Sequence, residues 1–293
     1  MSIKAINKKL GIKNPNAKFS IIIPTWNNLP FLITLVESIR KNSRFEHQII
    51  LHINDGKDGT IEWANQQNDI SYSHSEENIG ICKAVNLAAA LGTTDYILYI
   101  NDDMYVCPDW DRYLWEEIQS IGHPLFFISA TMIEFFDTHN PCVIVADFGK
   151  SLETFDENKL LKEFHLIEKP DWNGSTWPPN VVHKDVWDMV GGYSVEFSPG
   201  MYSDPDFSKK LWELGVRHFK GLGKSRVYHF GSKSVGRIKK NKGKNTFLNK
   251  WGIPSSLFMR AFLKIGTLFG GALPELQLAK SQKIMVFLKK MKS

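Results

Sequence analysis

Cysteine is scarce in this chain: Cys82, Cys107 and Cys142 are the only three among 293 residues, an odd number without CxxC spacing. Neither a disulfide framework nor a zinc site is indicated, and a reducing, cytoplasmic setting is expected. Long apolar runs are missing too. No stretch of about 18 uncharged apolar residues occurs, so no transmembrane span is expected. Met1 to Lys18 is lysine-rich without the apolar centre of a signal peptide. No G-x-G-x-x-G follows the first strand-like run, which counts against a dinucleotide-binding turn. Internal repeats and low-complexity segments are also lacking.

The net charge of +5 is mild. It suits solubility, an anionic nucleotide or an acidic lipid surface, and singles out none of them. The lysine-rich stretch Lys233 to Lys244, with Gly236 and Gly243, reads as a loop that either folds over a diphosphate or is a solvated linker. Its cations do not interleave with aromatics as a stacking groove requires, so no nucleic-acid partner is expected.

The hydrophobic share of 43% is ample for one large core. Phe19 to Ile23 is a short β-branched run that Pro24 is expected to end. The helix pattern from Pro30 to Asn42 follows, with Phe31, Leu32, Leu35, Val36 and Ile39 on one side. Strand and helix signals then alternate: Gln48 to Asn54, Asp58 to Gln67, Asp69 to Ser73, Ile79 to Leu91 and Tyr96 to Ile100. After a helix at Trp110 to Ile121 and a strand at Leu125 to Thr131, the pattern degrades from Phe135 to Asn180. Helices at Lys184 to Val190 and Asp206 to Leu214 and a strand at Arg226 to Phe230 complete the regular part. The alternation predicts an α/β fold with a mostly parallel sheet, whose ligands bind at the carboxyl ends of the strands.

Polar clusters fall at those ends. Asn54-Asp55-Gly56 places a carboxylate where it can accept from a base N–H or ribose hydroxyls; the plainer reading is a turn followed by a helix cap at Asp58. Asn101-Asp102-Asp103 offers hard oxygen ligands that Mg²⁺ or Mn²⁺ can share with a diphosphate, against the simpler role of capping the next helix. Asp204-Pro205-Asp206 and His229 follow.

In this order the motifs resemble those of family 2 glycosyltransferases of the GT-A fold, over about residues 19 to 232. The resemblance rests on Ile22-Ile23-Pro24-Thr25-Trp26-Asn27, Asn54-Asp55-Gly56, Asn78-Ile79-Gly80 with Lys83 and Asn86, Asn101-Asp102-Asp103, Gly191-Gly192-Tyr193, Ser203-Asp204-Pro205-Asp206-Phe207 and Tyr228-His229-Phe230-Gly231-Ser232. It implies inverting, metal-dependent transfer from a nucleoside-diphosphate sugar of UDP, dTDP or GDP type to a glycan or glycolipid hydroxyl, in polysaccharide or cell-surface glycan synthesis. By that resemblance Pro24, Thr25 and Asn27 line the nucleotide pocket, and Asp55 contacts the base. Asn78, Gly80 and Lys83 shape the ribose and diphosphate site, with Asp102 beside it. Asp103 and His229 would hold Mn²⁺ or Mg²⁺, and Asp204 would be the general base. The chain departs from the family pattern in carrying Asn101 and Ser203 where acidic residues are usual, and in a Gly56-Lys57-Asp58 spacing one residue tighter.

For the acceptor, the aromatics Phe155, Trp172 and Trp177 form either a platform for a sugar face or part of the core. Asp147 and Asp171 are candidate hydroxyl partners, and Asp206 either meets the acceptor or caps and orients the helix it opens. The expected organisation is an extension at 1–17, a GT-A domain at 18–232 divided at residue 131 into a nucleotide-sugar half and an acceptor half, and a basic loop with an amphipathic helical tail at 233–293. Ser256 to Ile265 and Lys283 to Lys292 mix large apolar residues with cations. Such helices lie on the inner face of an anionic membrane as a peripheral contact, or pack on the domain or on a second copy in a homo-oligomer. A non-catalytic sugar-nucleotide or glycan-binding module on the same fold is the alternative, with Asn101 and Ser203 in its favour.

Overall fold

The computed structural model describes residues 7–231 and 241–276. Ser232, most of the lysine-rich loop and Lys283 to Lys292 of the expected tail lie outside them. The strands are β1 (Asn7–Lys9), β2 (Ser20–Trp26), β3 (Gln48–Asn54), β4 (Ile70–Ser75), β5 (Tyr96–Tyr99), β6 (Met104–Val106), β7 (Phe126–Glu134), β8 (Ile144–Val145), β9 (Trp172–Asn173), β10 (Asn180–His183) and β11 (His218–His229). The helices are α1 (Leu29–Asn42), α2 (Thr60–Gln66), α3 (Ile81–Ala89), α4 (Trp110–Ile121), α5 (Glu157–Glu163), α6 (Lys184–Val190), α7 (Ser203–Glu213) and α8 (Gly243–Trp251).

One sheet runs β1-β4-β3-β2-β5-β10-β7-β11-β6. Strands β4, β3, β2 and β5 are parallel to their neighbours in that run. Beyond β5 the sheet is mixed: β10 is antiparallel to both β5 and β7, β11 is parallel to β7, and β6 is antiparallel to β11. The mostly parallel sheet expected from the sequence therefore holds for the first half only. The inserted strand β10 is four residues long and begins where the stretch of weakest periodicity ends.

The parallel strands are apolar on both faces because both are covered. Ile21 and Ile23 of β2 point to one face with Leu32, Leu35 and Val36 of α1 and Leu114 and Ile118 of α4. Ile22 points to the other, with Cys82, Val85 and Ala88 of α3, Val186 of α6 and Phe207 and Leu211 of α7. A third cluster, around Tyr105, Phe148, Leu160, Tyr228 and Phe230, lies under the irregular segment after β7.

Pro24 does not end β2, which continues to Trp26. The ladder to β5 stops at Ile22, so the strand beyond it has a free edge that tolerates a residue without N–H. The tail begins as short helical turns at Ser255–Leu257 and Phe258–Phe262 rather than one long helix. Leu257, Phe258 and Leu263 are buried against the α7 side of the core, with Phe258 against Trp212 and Phe247. This part of the tail packs on the domain. Among the described residues no helix is long and apolar enough to cross a membrane.

Candidate active site

The ends of β2 and β3 are tied by Asn27. Its amide donates to Asp55 Oδ2 at 3.1 Å and its Oδ1 accepts from Gly56 N at 3.0 Å. Asn27, Asp55 and Gly56 all have left-handed backbones, with φ of 47°, 63° and 79°, which turn the chain out of the sheet at this edge. The Lys57 ammonium at 3.0 Å and the Asn27 amide hold the Asp55 carboxyl below its usual range. Asn54 is committed elsewhere: its Oδ1 accepts from Ile79 N at 2.9 Å, bracing the Asn78-Ile79-Gly80 turn. Thr25 Oγ1 is buried with no hydrogen-bond partner among the described residues. A buried orphan hydroxyl costs stability.

The Asn78 turn leads into α3. Asn78 Oδ1 accepts from Gly80 N at 2.9 Å, and Gly80 at φ 81° brings the backbone against Pro199, whose carbonyl accepts from Ile81 N at 2.9 Å. A Cβ at Gly80 would stand 3.0 Å from Pro199 Cα, so only glycine permits this approach. Lys83 is exposed on the first turn of α3.

Asp102 and Asp103 sit buried in the turn between β5 and β6. Pairing of β6 with β11 brings His229 opposite Met104, and His229 Nε2 lies 3.5 Å from Asp103 Oδ1. Its Nδ1 lies 3.0 Å from Glu134 Oε1, and Glu134 Oε2 accepts from Thr138 Oγ1 at 2.6 Å. Burial opposes the charged ring, but the hydrogen bonds to Asp103 and Glu134 outweigh it and push His229 up to about 10. Once His229 Nε2 gives up its proton, as an ion ligand must, the donor set fits a hard divalent cation. An imidazole nitrogen and a carboxylate oxygen face each other near the ~3 Å that separates neighbouring ligands of an octahedral ion, and Glu134 fixes the ring from behind. Among the described residues no group of three or more His, Cys, Asp or Glu side chains is arranged to hold an ion by itself.

Asp204 opens α7. Burial pushes its carboxyl up to about 7, opposed by a hydrogen bond from the Tyr193 hydroxyl to Oδ1 at 3.1 Å. Tyr99, at the end of β5, connects the two carboxylate sites: it feels the charge of Asp204, Asp102 and Asp103, and its hydroxyl donates to Asn101 Oδ1 at 2.8 Å.

Two expected acceptor residues belong elsewhere. Trp172 is buried, its ring lies over Gly221, where a Cβ would overlap it, and its Nε1 donates to Thr131 Oγ1 at 2.9 Å. It is a core residue. Asp206 is also fully buried and accepts from Trp251 Nε1 at 2.7 Å and pairs with Lys250 at 3.0 Å, anchoring α8. Trp177 is half-buried beside the cis Pro178-Pro179 bond. Phe155 stacks on Tyr228, inside the third cluster. Glu134 escaped the sequence reading because the strand that carries it runs three residues past the expected end; the signal was an acidic residue closing an apolar run.

A family model described as Glycosyl transferase family 2 matches residues 20–166. Among curated proteins none matches the chain. Solved structures share the fold. S. aureus TarS 1-349 in complex with UDP is 15% identical with a TM-score of 0.52, covering 72% of this chain and 60% of that one. S. aureus TarS is 12% identical with a TM-score of 0.55, covering 94% and 43%. GalNAc-T7 with UDP, GalNAc and Mn²⁺ is 14% identical with a TM-score of 0.58, covering 92% and 54%. The chain thus spans 60% or less of the length of each of these structures.

Proposed function

Proceeding from the fact that the chain belongs to glycosyl transferase family 2 and has the GT-A fold, we propose that it transfers a sugar with inversion from a nucleoside-diphosphate donor, of UDP type, to a hydroxyl of a glycan or glycolipid. The observation that carries this reading is the pair of sites on either side of Tyr99: the Asp103–His229 pair with its Glu134 brace, and the Asp204 carboxyl held by Tyr193. UDP in the TarS and GalNAc-T7 structures and Mn²⁺ in the latter support the choice of donor and ion.

In this mechanism Asn27, Asp55 and Thr25 receive the base and ribose, and the Asn78 turn with Lys83 borders the diphosphate. Asp103 and His229 would hold Mn²⁺ or Mg²⁺, which when bound neutralises the departing diphosphate as a Lewis acid. Asp204 takes the proton of the acceptor hydroxyl as its oxygen bonds to the anomeric carbon. The bond from that carbon to the diphosphate oxygen breaks on the opposite face, and its electron pair leaves with the diphosphate. A base near 7 is matched to this task at neutral pH.

Thermal shift with UDP, GDP, dTDP and CDP, each with and without Mn²⁺, tests the donor site, since a ligand of the folded state raises Tm. A metal-dependent rise with UDP and release of UDP from UDP-sugars by the wild type but not by Asp204→Asn support the reading. Binding without turnover in both proteins would make the chain a binding module instead.

A further inference from the structure

Asp204 does not stand alone at the start of α7. The hydroxyl that reaches its Oδ1 belongs to Tyr193, from the turn after α6, and the ring of that tyrosine is fully buried. Phe207 stacks on it with centroids 4.7 Å apart and planes 13° from parallel, and Tyr99 meets it edge-on at 5.8 Å. Its backbone is held as firmly. Asn86 of α3 accepts from Tyr193 N at 2.7 Å and donates to Tyr193 O at 2.8 Å, a two-bond clasp across the core. Gly192, at φ 59°, lies so close beneath the Asn86 amide that a Cβ there would collide with it. The three motif elements Asn86, Gly191-Gly192-Tyr193 and Asp204 are thus one chain of contacts, running from the helix that borders the donor site to the carboxyl.

We propose that Tyr193 is a positioning residue for the Asp204 base, orienting the carboxylate through Oδ1 so that Oδ2 is left to meet the acceptor hydroxyl, and that Asn86 holds Tyr193 in register with the donor site. This inference rests on the reading of Asp204 as the base. A hydroxyl that donates to Oδ1 stabilises the charged form, and it stays in place when Oδ2 takes the acceptor's proton. Among the described residues the titratable groups facing Asp204 are Tyr193, Tyr99 from β5 and Cys82 from α3. Burial raises all three out of the neutral range, so each stays protonated while Asp204 titrates.

The test is the pH dependence of UDP release from UDP-GlcNAc, UDP-GalNAc and UDP-glucose by the wild type, Tyr193→Phe and Asp204→Asn, with UDP affinity measured in parallel. Loss of the donor should move the acid limb of Tyr193→Phe upward by about one to two pH units. Its kcat should fall roughly tenfold or more through misorientation, with UDP affinity unchanged. An acid limb and kcat equal to wild type in Tyr193→Phe, beside an inactive Asp204→Asn, would overturn the positioning role and leave the base reading intact. Wild-type release by Asp204→Asn, or none from any donor by the wild type, overturns the base reading and this inference with it. Should Tyr193→Phe fail to fold, Asn86→Ala is read the same way: a smaller upward shift supports the clasp, and a wild-type limb overturns it.

Discussion

The two halves of the sheet solve different problems. From β2 to β5 the chain is a series of parallel strand and helix units, each buried on both faces, and its polar groups cluster where the strands end. Beyond β5 the strands are mixed in direction, several are two to four residues long, and the chemical groups sit far apart in sequence: Asp103, Glu134, Tyr193, Asp204 and His229. The family match covers the first half and ends at residue 166, before Asp204 and His229. A nucleotide makes similar demands in every enzyme that binds one, so a regular local scaffold meets them. On the proposed reading, proton transfer and ion binding need several side chains held within a few ångströms, and here only long-range pairing does that.

Asp204→Asn should break the comparison most sharply, by removing the second half's chemistry while sparing the first. Turnover should fall by about 10²–10⁴ while UDP binding persists, as read by UDP release beside calorimetry. The same variant should be more stable than wild type above pH 7. A carboxyl raised to about 7 from 3.8 favours folding fully below pH 4, and that contribution is lost as pH rises through 7. Asparagine escapes this loss, so a gain of roughly 2 kcal/mol, several °C in Tm, is expected at pH 8 and should vanish near pH 4.

Glu134→Gln sharpens the contrast at the proposed ion site. Removing the carboxylate behind His229 should weaken Mn²⁺ by about 10–100-fold, measured as the Mn²⁺ concentration that half-saturates UDP binding, while metal-free UDP binding is unchanged. An unaltered Mn²⁺ dependence would reduce Glu134 to a structural partner.

Thr25→Val probes the first half. The change keeps the shape and removes the orphan hydroxyl, so UDP affinity should fall by about 3–10-fold, with Tm unchanged or higher. Equal affinity would place that hydroxyl outside the nucleotide contacts. The smallest effect is expected of Trp172→Phe, which loses the bond to Thr131 at a cost of about 1–2 kcal/mol in stability. Its KM for any acceptor should match wild type, because the indole is a core group.

Much of the chain as far as α4 was legible because burial imposes a period. Helix α4 appears at the bounds its sequence pattern gives, α1 begins within one residue of them, and both follow from apolar residues recurring every three to four positions. Strand β3 likewise shows as an apolar run interrupted only by the buried His52. The second half was harder. Strand β11 extends eight residues upstream of its recognisable end, through Gly221 and Gly223, whose lack of side chains breaks the pattern and makes room for Trp172 and for the carbonyl of Lys169. Of the acceptor candidates, Trp172 lies in the core, one of the two readings open to it, and Asp206 is buried against α8.

By itself the sequence determined the α/β alternation, the family motifs and their order, because local periodicity and turn chemistry are written in neighbouring residues. The tertiary structure alone decided that β10 enters between β5 and β7, that Glu134 stands behind His229, and that Asn86 grips the tyrosine that reaches Asp204. Those contacts join residues 11 to 107 positions apart. Nothing in the chain's local pattern encodes such a meeting; it exists only once the sheet has brought its edges together.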